Sequence, residues 1–221
     1  MQLQMLTGDA YCRTGESDPI RFYSFPVLGR LYRNRVARCA SMLPPGRRVL
    51  EIGYGSGVSF LNLGRKFEEI FGIDLHDKAG QVERSFAGTG LRLNLRQGNI
   101  LHLPYEDESV DAALAISIHE HLAMAEQLAA FAEVHRVLRP GGCYVVGVPG
   151  LNAMMTAAFY LLGVRIHDHH LSSEGQVLGV MRAVFDVDVT HYSPFRWPKS
   201  LTTYLCIRGW KRGKRDFEVS P

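Results

Sequence analysis

The stretch RVLEIGYGSGVSFLNLG at residues 48–64 constrains the fold more than any other part of the chain. The run RRVLEIG has the length and composition of a buried strand, and residues 58–67 carry helical spacing. Between them stand Gly53, Gly55 and Gly57, which permit positive φ and leave no Cβ between backbone and ligand. In doubly wound sheets ligands sit beyond the carboxyl ends of the strands, so a bound molecule is expected against this turn. The dinucleotide fingerprint GxGxxG is not met, because its third glycine would fall at Val58.

Strand and helix patterns keep alternating downstream. EIFGIDL is a second strand, and residues 78–87 are a weak helix. LRLNLRQ alternates with period two, as a half-buried strand does, and VDAALAIS is a fully apolar strand. Residues 124–138 put Leu128, Phe131, Val134, Val137 and Leu138 on one face, and Pro140-Gly141-Gly142 stops that helix before the strand CYVVGVP. Such alternation implies an α/β fold with a parallel sheet covered on both faces. Residues 173–184 are helical. FDVDVTHYS and SLTTYLCIR then follow with no helix between them, so these two strands must pair antiparallel. Ahead of the first strand, residues 27–43 carry Leu28, Leu31, Tyr32, Arg35, Cys39, Met42 and Leu43 on one helical face, with Arg30, Arg33 and Arg38 elsewhere. Pro44-Pro45-Gly46 ends that helix.

Composition narrows the partners. The 221 residues, 46% hydrophobic and 21% charged, are ordinary for a globular domain able to bury its own core. A net charge of +3 is too small to argue for nucleic acid or a membrane surface. Cys12, Cys39, Cys143 and Cys206 lie far apart with no zinc-ligand spacing, so reduced thiols, no metal and a cytoplasmic location are expected. The N-terminal residues lack the apolar core of a signal peptide. Residues 143–164 carry no charge, but Pro149, Gly150 and Asn152 interrupt them, so a strand, a turn and a short apolar helix are expected rather than a membrane span.

Two acids mark the ligand. Glu51 precedes the glycines, and Asp74 ends the second strand, where a carboxylate can accept hydrogen bonds from ribose hydroxyls. Two ionised acids would repel a phosphate and favour a cationic, phosphate-free nucleoside. The turn Gly98-Asn99-Ile100 faces the same edge, with Asn99 able to bond an adenine edge and Ile100 able to pack on the ring.

With these residues in order, residues 47–150 resemble a class I S-adenosylmethionine-dependent methyltransferase of the small-molecule, type 11-like branch. VLEIGYGSG resembles the family's first motif, GIDL the acidic second strand, QGNILHLPYEDESVDAALA the third block and EVHRVLRPGGCYVV the last. The resemblance implies a doubly wound, Rossmann-like, seven-stranded, mainly parallel sheet with an antiparallel last strand, and S-adenosylmethionine as cofactor. It implies a helical extension over 1–45, a methyltransferase domain over 46–208 with 151–184 as an acceptor-side cap, and a basic tail over 209–221. Carried over, Glu51 neighbours the methionine amine, and the backbone from Gly53 through Gly55 to Gly57 passes under the methionine portion. Asp74 holds the ribose diol, Leu75 packs on adenine, Asn99 and Ile100 frame its other side, and Ser117 borders the sulfonium. Asn99 stands where the family usually has aspartate. Tyr54 stands where a small residue or Cys is usual, and is expected to narrow the pocket or close its mouth.

Methyl transfer needs the two reactants aligned, and a base where the acceptor holds its proton tightly. SIHEHL places His119 and His121 after the fourth strand, and His119 is the candidate base. His167, His169 and His170 follow in RIHDHHLSS, with nothing to complete a metal site. The acceptor partner is expected to be a small apolar molecule against Met154, Met155, Phe159, Tyr160, Leu161 and Leu162, side chains that suit a homodimer contact equally well. Nucleic acid is not the expected partner, and the absence of an Asn-Pro-Pro-Tyr motif argues against adenine methylation in DNA. RNA or protein methylation, and a non-catalytic cofactor-binding module, stay open as alternatives. A short-chain reductase does not, because no tyrosine has lysine four residues on.

Overall fold

The computed structural model describes residues 2–7, 10–15, 18–26, 28–150, 171–193 and 203–212. Strands β1 (Gly46–Ile52), β2 (Phe67–Asp74), β3 (Leu93–Gln97), β4 (Val110–Ile116), β5 (Leu138–Pro149), β6 (Asp186–Ser193) and β7 (Tyr204–Trp210) form one seven-stranded sheet. Their spatial order is β3-β2-β1-β4-β5-β7-β6. β1 pairs parallel with both β2 and β4, and β4 with β5. β7 runs antiparallel between β5 and β6, as expected for the last strand. The chain order reverses at β1 and β4, the place where an open α/β sheet leaves a crevice at its carboxyl edge.

Among the described residues five α-helices cover the sheet: α1 (Leu28–Met42), α2 (Phe60–Leu63), α3 (Ala79–Ser85), α4 (Met124–Val137) and α5 (Glu174–Val184). One core cluster holds Phe131, Val134, Tyr144 and Met181. The other holds Cys39, Phe60, Leu63, Ile70 and Val82. Both faces of the sheet are therefore buried, which is why its central strands read as near-continuous apolar runs.

Three elements differ from the sequence reading. The helix after the glycines spans only Phe60–Leu63 instead of 58–67. Lys66 is drawn out of it, its ammonium donating to the carbonyls of Ala40, Ser41 and Leu43 at the end of α1, and β2 begins at Phe67. Pro140-Gly141-Gly142 does not stop a helix, because α4 already ends at Val137 and those residues lie inside β5, where the pairing with β4 shifts register. The sheet also runs past the expected boundary at residue 208: β7 reaches Trp210, and Lys211 Nζ donates to Leu138 O at 2.7 Å. The remaining tail, 213–221, the segment 151–170 with its expected apolar wall, and His167, His169 and His170 lie outside the described residues. Among the described residues no helix is long and apolar enough to cross a membrane, and no group of His, Cys, Asp or Glu could hold a metal ion.

Candidate active site

The glycine turn hangs from the carboxyl ends of β1 and β2. Gly53, at φ +70°, donates its N–H to Ile73 O at 2.8 Å. Gly55, at φ +49°, donates to Asp74 Oδ2 at 2.8 Å. Three consecutive alternate glycines in the left-handed region explain the sequence, but each is needed for a different reason. A Cβ on Gly53 would overlap the side chain of Ile118, and one on Gly57 would overlap the ring of Phe60. A Cβ on Gly55 would meet nothing within 4 Å. Only Gly55 therefore faces open space, and the room beside it is room for a ligand.

Tyr54 does not close the pocket. Its ring turns inward, packs with Phe60 in the core beneath α2 and meets the ring of His76 edge-on at 4.9 Å. Gly72 on β2 makes that space, since a Cβ there would stand 2.8 Å from the Tyr54 ring.

The two acids differ in setting. Glu51 is buried, accepts from the Ser59 hydroxyl, and is pushed up to about 8 mainly by loss of water, with the nearby Asp74 charge adding to the effect. Asp74 stays partly open. Besides Gly55 N–H it accepts from His76 N at 3.3 Å through Oδ1. His76 went unnoticed in the sequence. Its Nδ1 accepts from Lys78 N at 3.1 Å, so the neutral ring carries its proton on Nε2, 3.3 Å from Gly55 O. It thus braces the glycine turn from the β2 side.

The remaining expected residues divide. Leu75 is 71% exposed just past β2, an apolar platform beside Asp74. Asn99 is exposed, and its Oδ1 accepts from Leu101 N at 3.0 Å, leaving the amide nitrogen turned outward. Ile100 is buried in the core with Ile73, so packing accounts for it and its side chain is not a free adenine wall. Ser117 directly follows β4 with φ +58°, a strained setting for a non-glycine residue, and its Oγ lies 3.2 Å from Tyr204 Oη.

His119 is corrected most sharply. It is 0% exposed, stacked on Phe131, and both ring nitrogens are taken. Gln127 Nε2 donates to His119 O at 2.6 Å, so Gln127 Oε1 accepts from Nδ1–H at 2.8 Å and Nε2 accepts from the Tyr144 hydroxyl at 2.7 Å. Burial lowers it to about 4. A ring so enclosed ties the turn after β4 to α4 and β5 and reaches no acceptor.

The N-terminal segment adds a contact that no motif announced. Asp18 is buried and accepts from Ser56 Oγ in the middle of the glycine turn, as well as from Thr14 and Ile20.

The profile of the family described as "Methyltransferase domain" matches residues 50–146, the strands and turns just described. The region is a class I S-adenosylmethionine-dependent methyltransferase domain. Over 121 residues the chain is 34% identical to a probable S-adenosylmethionine-dependent methyltransferase of Mycolicibacterium smegmatis, covering 54% of this chain and 42% of that one. Over 124 residues it is 34% identical to sterol methyltransferase-like 1 of Botryococcus braunii, covering 52% of this chain and 30% of that one. The chain thus spans less than half the length of either curated relative. A solved geranyl diphosphate methyltransferase, in complex with geranyl diphosphate and sinefungin, superposes with a TM-score of 0.66 at 18% identity. That superposition covers 84% of this chain and 81% of the other. At that identity it establishes the methyltransferase fold and no more.

Proposed function

We propose that this chain moves a methyl group from S-adenosylmethionine to a small, largely apolar acceptor. The observation that carries the reading is the open space at Gly55, with Asp74 at its rim and Leu75 exposed alongside. The donor set fits the cofactor. Asp74 offers a carboxylate to a ribose diol, and Leu75 an apolar face to a purine. Glu51 is a buried carboxyl that a neighbouring cation would hold ionised.

When bound, S-adenosylmethionine supplies an activated methyl on a sulfonium. The protein's own part is then to orient and exclude water. Gly55 lets the backbone approach, Asp74 fixes the turn and the diol together, and Ser117 closes the β4 side. Alignment of this kind can supply roughly 7–11 kcal/mol of barrier reduction. The acceptor class is supported by relatives named for sterol and geranyl diphosphate methylation, since a sterol and a geranyl chain are both apolar hydrocarbon bodies.

Calorimetry tests the cofactor half of this reading. S-adenosylmethionine and S-adenosylhomocysteine are expected to bind and NAD is not. Binding of NAD alone would overturn it.

A further inference from the structure

Three buried side-chain atoms have no partner among the described residues: Tyr54 Oη, on the ring packed in the core beneath α2, and Glu120 Oε2 and Arg35 Nε, whose charges act on each other. Buried polar atoms are nearly always bonded, so two orphans on interacting, oppositely charged side chains call for a missing group.

Glu120 lies in the turn after β4 and is 1% exposed. The Ser117 hydroxyl bonds its carboxyl, and His121 Nε2 is 4.0 Å from Oε1. Arg35 comes from α1. Its guanidinium lies over the Tyr32 ring at 3.8 Å and beside the Tyr204 ring at 5.6 Å, and it bonds the Tyr23 hydroxyl. Tyr204 Oη in turn lies 3.2 Å from Ser117 Oγ. The two charges act on each other, yet no hydrogen bond between them occurs among the described residues. They flank the strained Ser117 at the end of β4, beside the glycine turn that Ile118 packs against.

We infer that the acceptor is a hydroxyl compound, a phenol or enol. Its oxygen accepts from Arg35 Nε–H and donates to Glu120, which takes its proton as that oxygen is methylated. This inference rests on the methyltransferase reading above. A single ligand atom that satisfies both orphans must accept one hydrogen bond and donate another, as a hydroxyl does. A neutral amine could do the same, but it would become a cation beside Arg35, whereas an oxygen passes through an anion that Arg35 stabilises. The step balances. The O–H proton goes to Glu120 Oε2, an oxygen lone pair forms the new O–C bond, and the S–C bond breaks with its electrons onto sulfur, leaving a neutral thioether. Loss of water pushes Glu120 up to about 8, so the ionised carboxylate that takes the proton grows as pH rises toward that value.

The test uses the full chain with S-adenosylmethionine and two isosteric probes, 4-nitrophenol and 4-nitroaniline. Methylation of 4-nitrophenol is expected, read as loss of its visible anion absorption, with none of 4-nitroaniline. Glu120→Gln should lower kcat about a hundredfold or more with little change in KM, the range typical of a lost acid–base group. Arg35→Lys, which keeps the charge but removes the Nε–H, should raise KM about tenfold. It also serves as the second variant if Glu120→Gln does not fold. Transfer to neither probe, equal or preferred transfer to the aniline, or a wild-type rate in either folded variant would overturn the inference. S-adenosylhomocysteine affinity, measured on every protein, separates this failure from failure of the methyltransferase reading. If wild-type protein binds no S-adenosylhomocysteine, the broader reading falls. If it binds and the probe results fail, only the hydroxyl acceptor and its base fall.

Discussion

The carboxylate of Asp74 accepts a hydrogen bond from the backbone N–H of Gly55 at 2.8 Å, joining the carboxyl ends of β2 and β1 through one short contact. The same carboxylate is the candidate ribose anchor, so one side chain both shapes the turn and serves the ligand. Asp74→Asn separates the two duties. The amide oxygen still accepts from Gly55, but the negative charge is gone. Charge-assisted hydrogen bonds are worth on the order of 1.5–3 kcal/mol, so S-adenosylmethionine affinity should fall roughly tenfold to a hundredfold. The melting temperature should barely move. Calorimetry and a thermal melt on the same sample check both halves, and unchanged affinity would remove Asp74 from the diol.

Gly53 and Gly55 should respond oppositely to the same added methyl. Gly53→Ala would drive a Cβ into Ile118 and must also hold a left-handed backbone, which costs about 1–2 kcal/mol by itself. Lost stability is the expected result. Gly55→Ala meets no atom within 4 Å, so only the backbone cost applies, and the methyl enters the ligand's space. Gly55→Val fills more of that space and should abolish cofactor binding in a folded protein. Denaturant melts and cofactor titrations of the alanine pair distinguish them. A Gly55→Val protein that binds normally would mean that the turn faces elsewhere.

How much of this was legible in the sequence depended on whether the signal was local. The glycine turn, Asp74 and the alternation from β1 through β7 are short patterns, set by backbone conformation and by burial on one or two faces, and a single chain displays them. Tyr54 was misjudged because its neighbours in space are Phe60, Gly72 and His76, and only Gly72's missing side chain makes room for the ring. His119 was misjudged for a similar reason. In SIHEHL every polar residue looks equally available, but β5 and α4 bring Tyr144 and Gln127 onto the first histidine, and Oε2 of the adjacent glutamate has no partner among the described residues. Arg35 was placed correctly on the buried face of α1 by its spacing. Two of its partners, Tyr23 ahead of that helix and Tyr204 on β7, are ones that spacing does not report.

Glu51 should make cofactor binding release a proton. Its folded value of about 8 stands above its ordinary 4.5, so near neutral pH the free protein holds the carboxyl largely protonated. A cation bound beside it favours the ionised form, and the proton leaves. Binding enthalpies in buffers of different ionisation heat should therefore vary linearly with that heat, and Glu51→Gln should flatten the line. Stability of the free protein carries the same signature. Between those two values the unfolded chain has released a proton that the folded chain keeps, so stability falls as pH rises through this window. Glu51→Gln should reduce that slope in denaturant titrations, and an unaltered slope would place the effect on other groups.

His119 should matter for stability rather than chemistry. His119→Ala strands the Tyr144 hydroxyl and the Gln127 amide in the core and leaves a cavity against Phe131. A loss of about 2–4 kcal/mol is expected from such unsatisfied buried groups. The pH dependence has the opposite sign to that of Glu51. The folded value of about 4 lies below the ordinary 6.5, so as pH falls between them the unfolded chain takes up a proton that the folded core refuses. Stability contributed at neutral pH is therefore lost on acidification through that window, and the alanine variant should lack this component. Cofactor affinity of the folded variant should match wild type, because the ring faces α4 and β5 and not the glycine turn. Wild-type stability combined with a loss of methyl transfer would return His119 to the role of base.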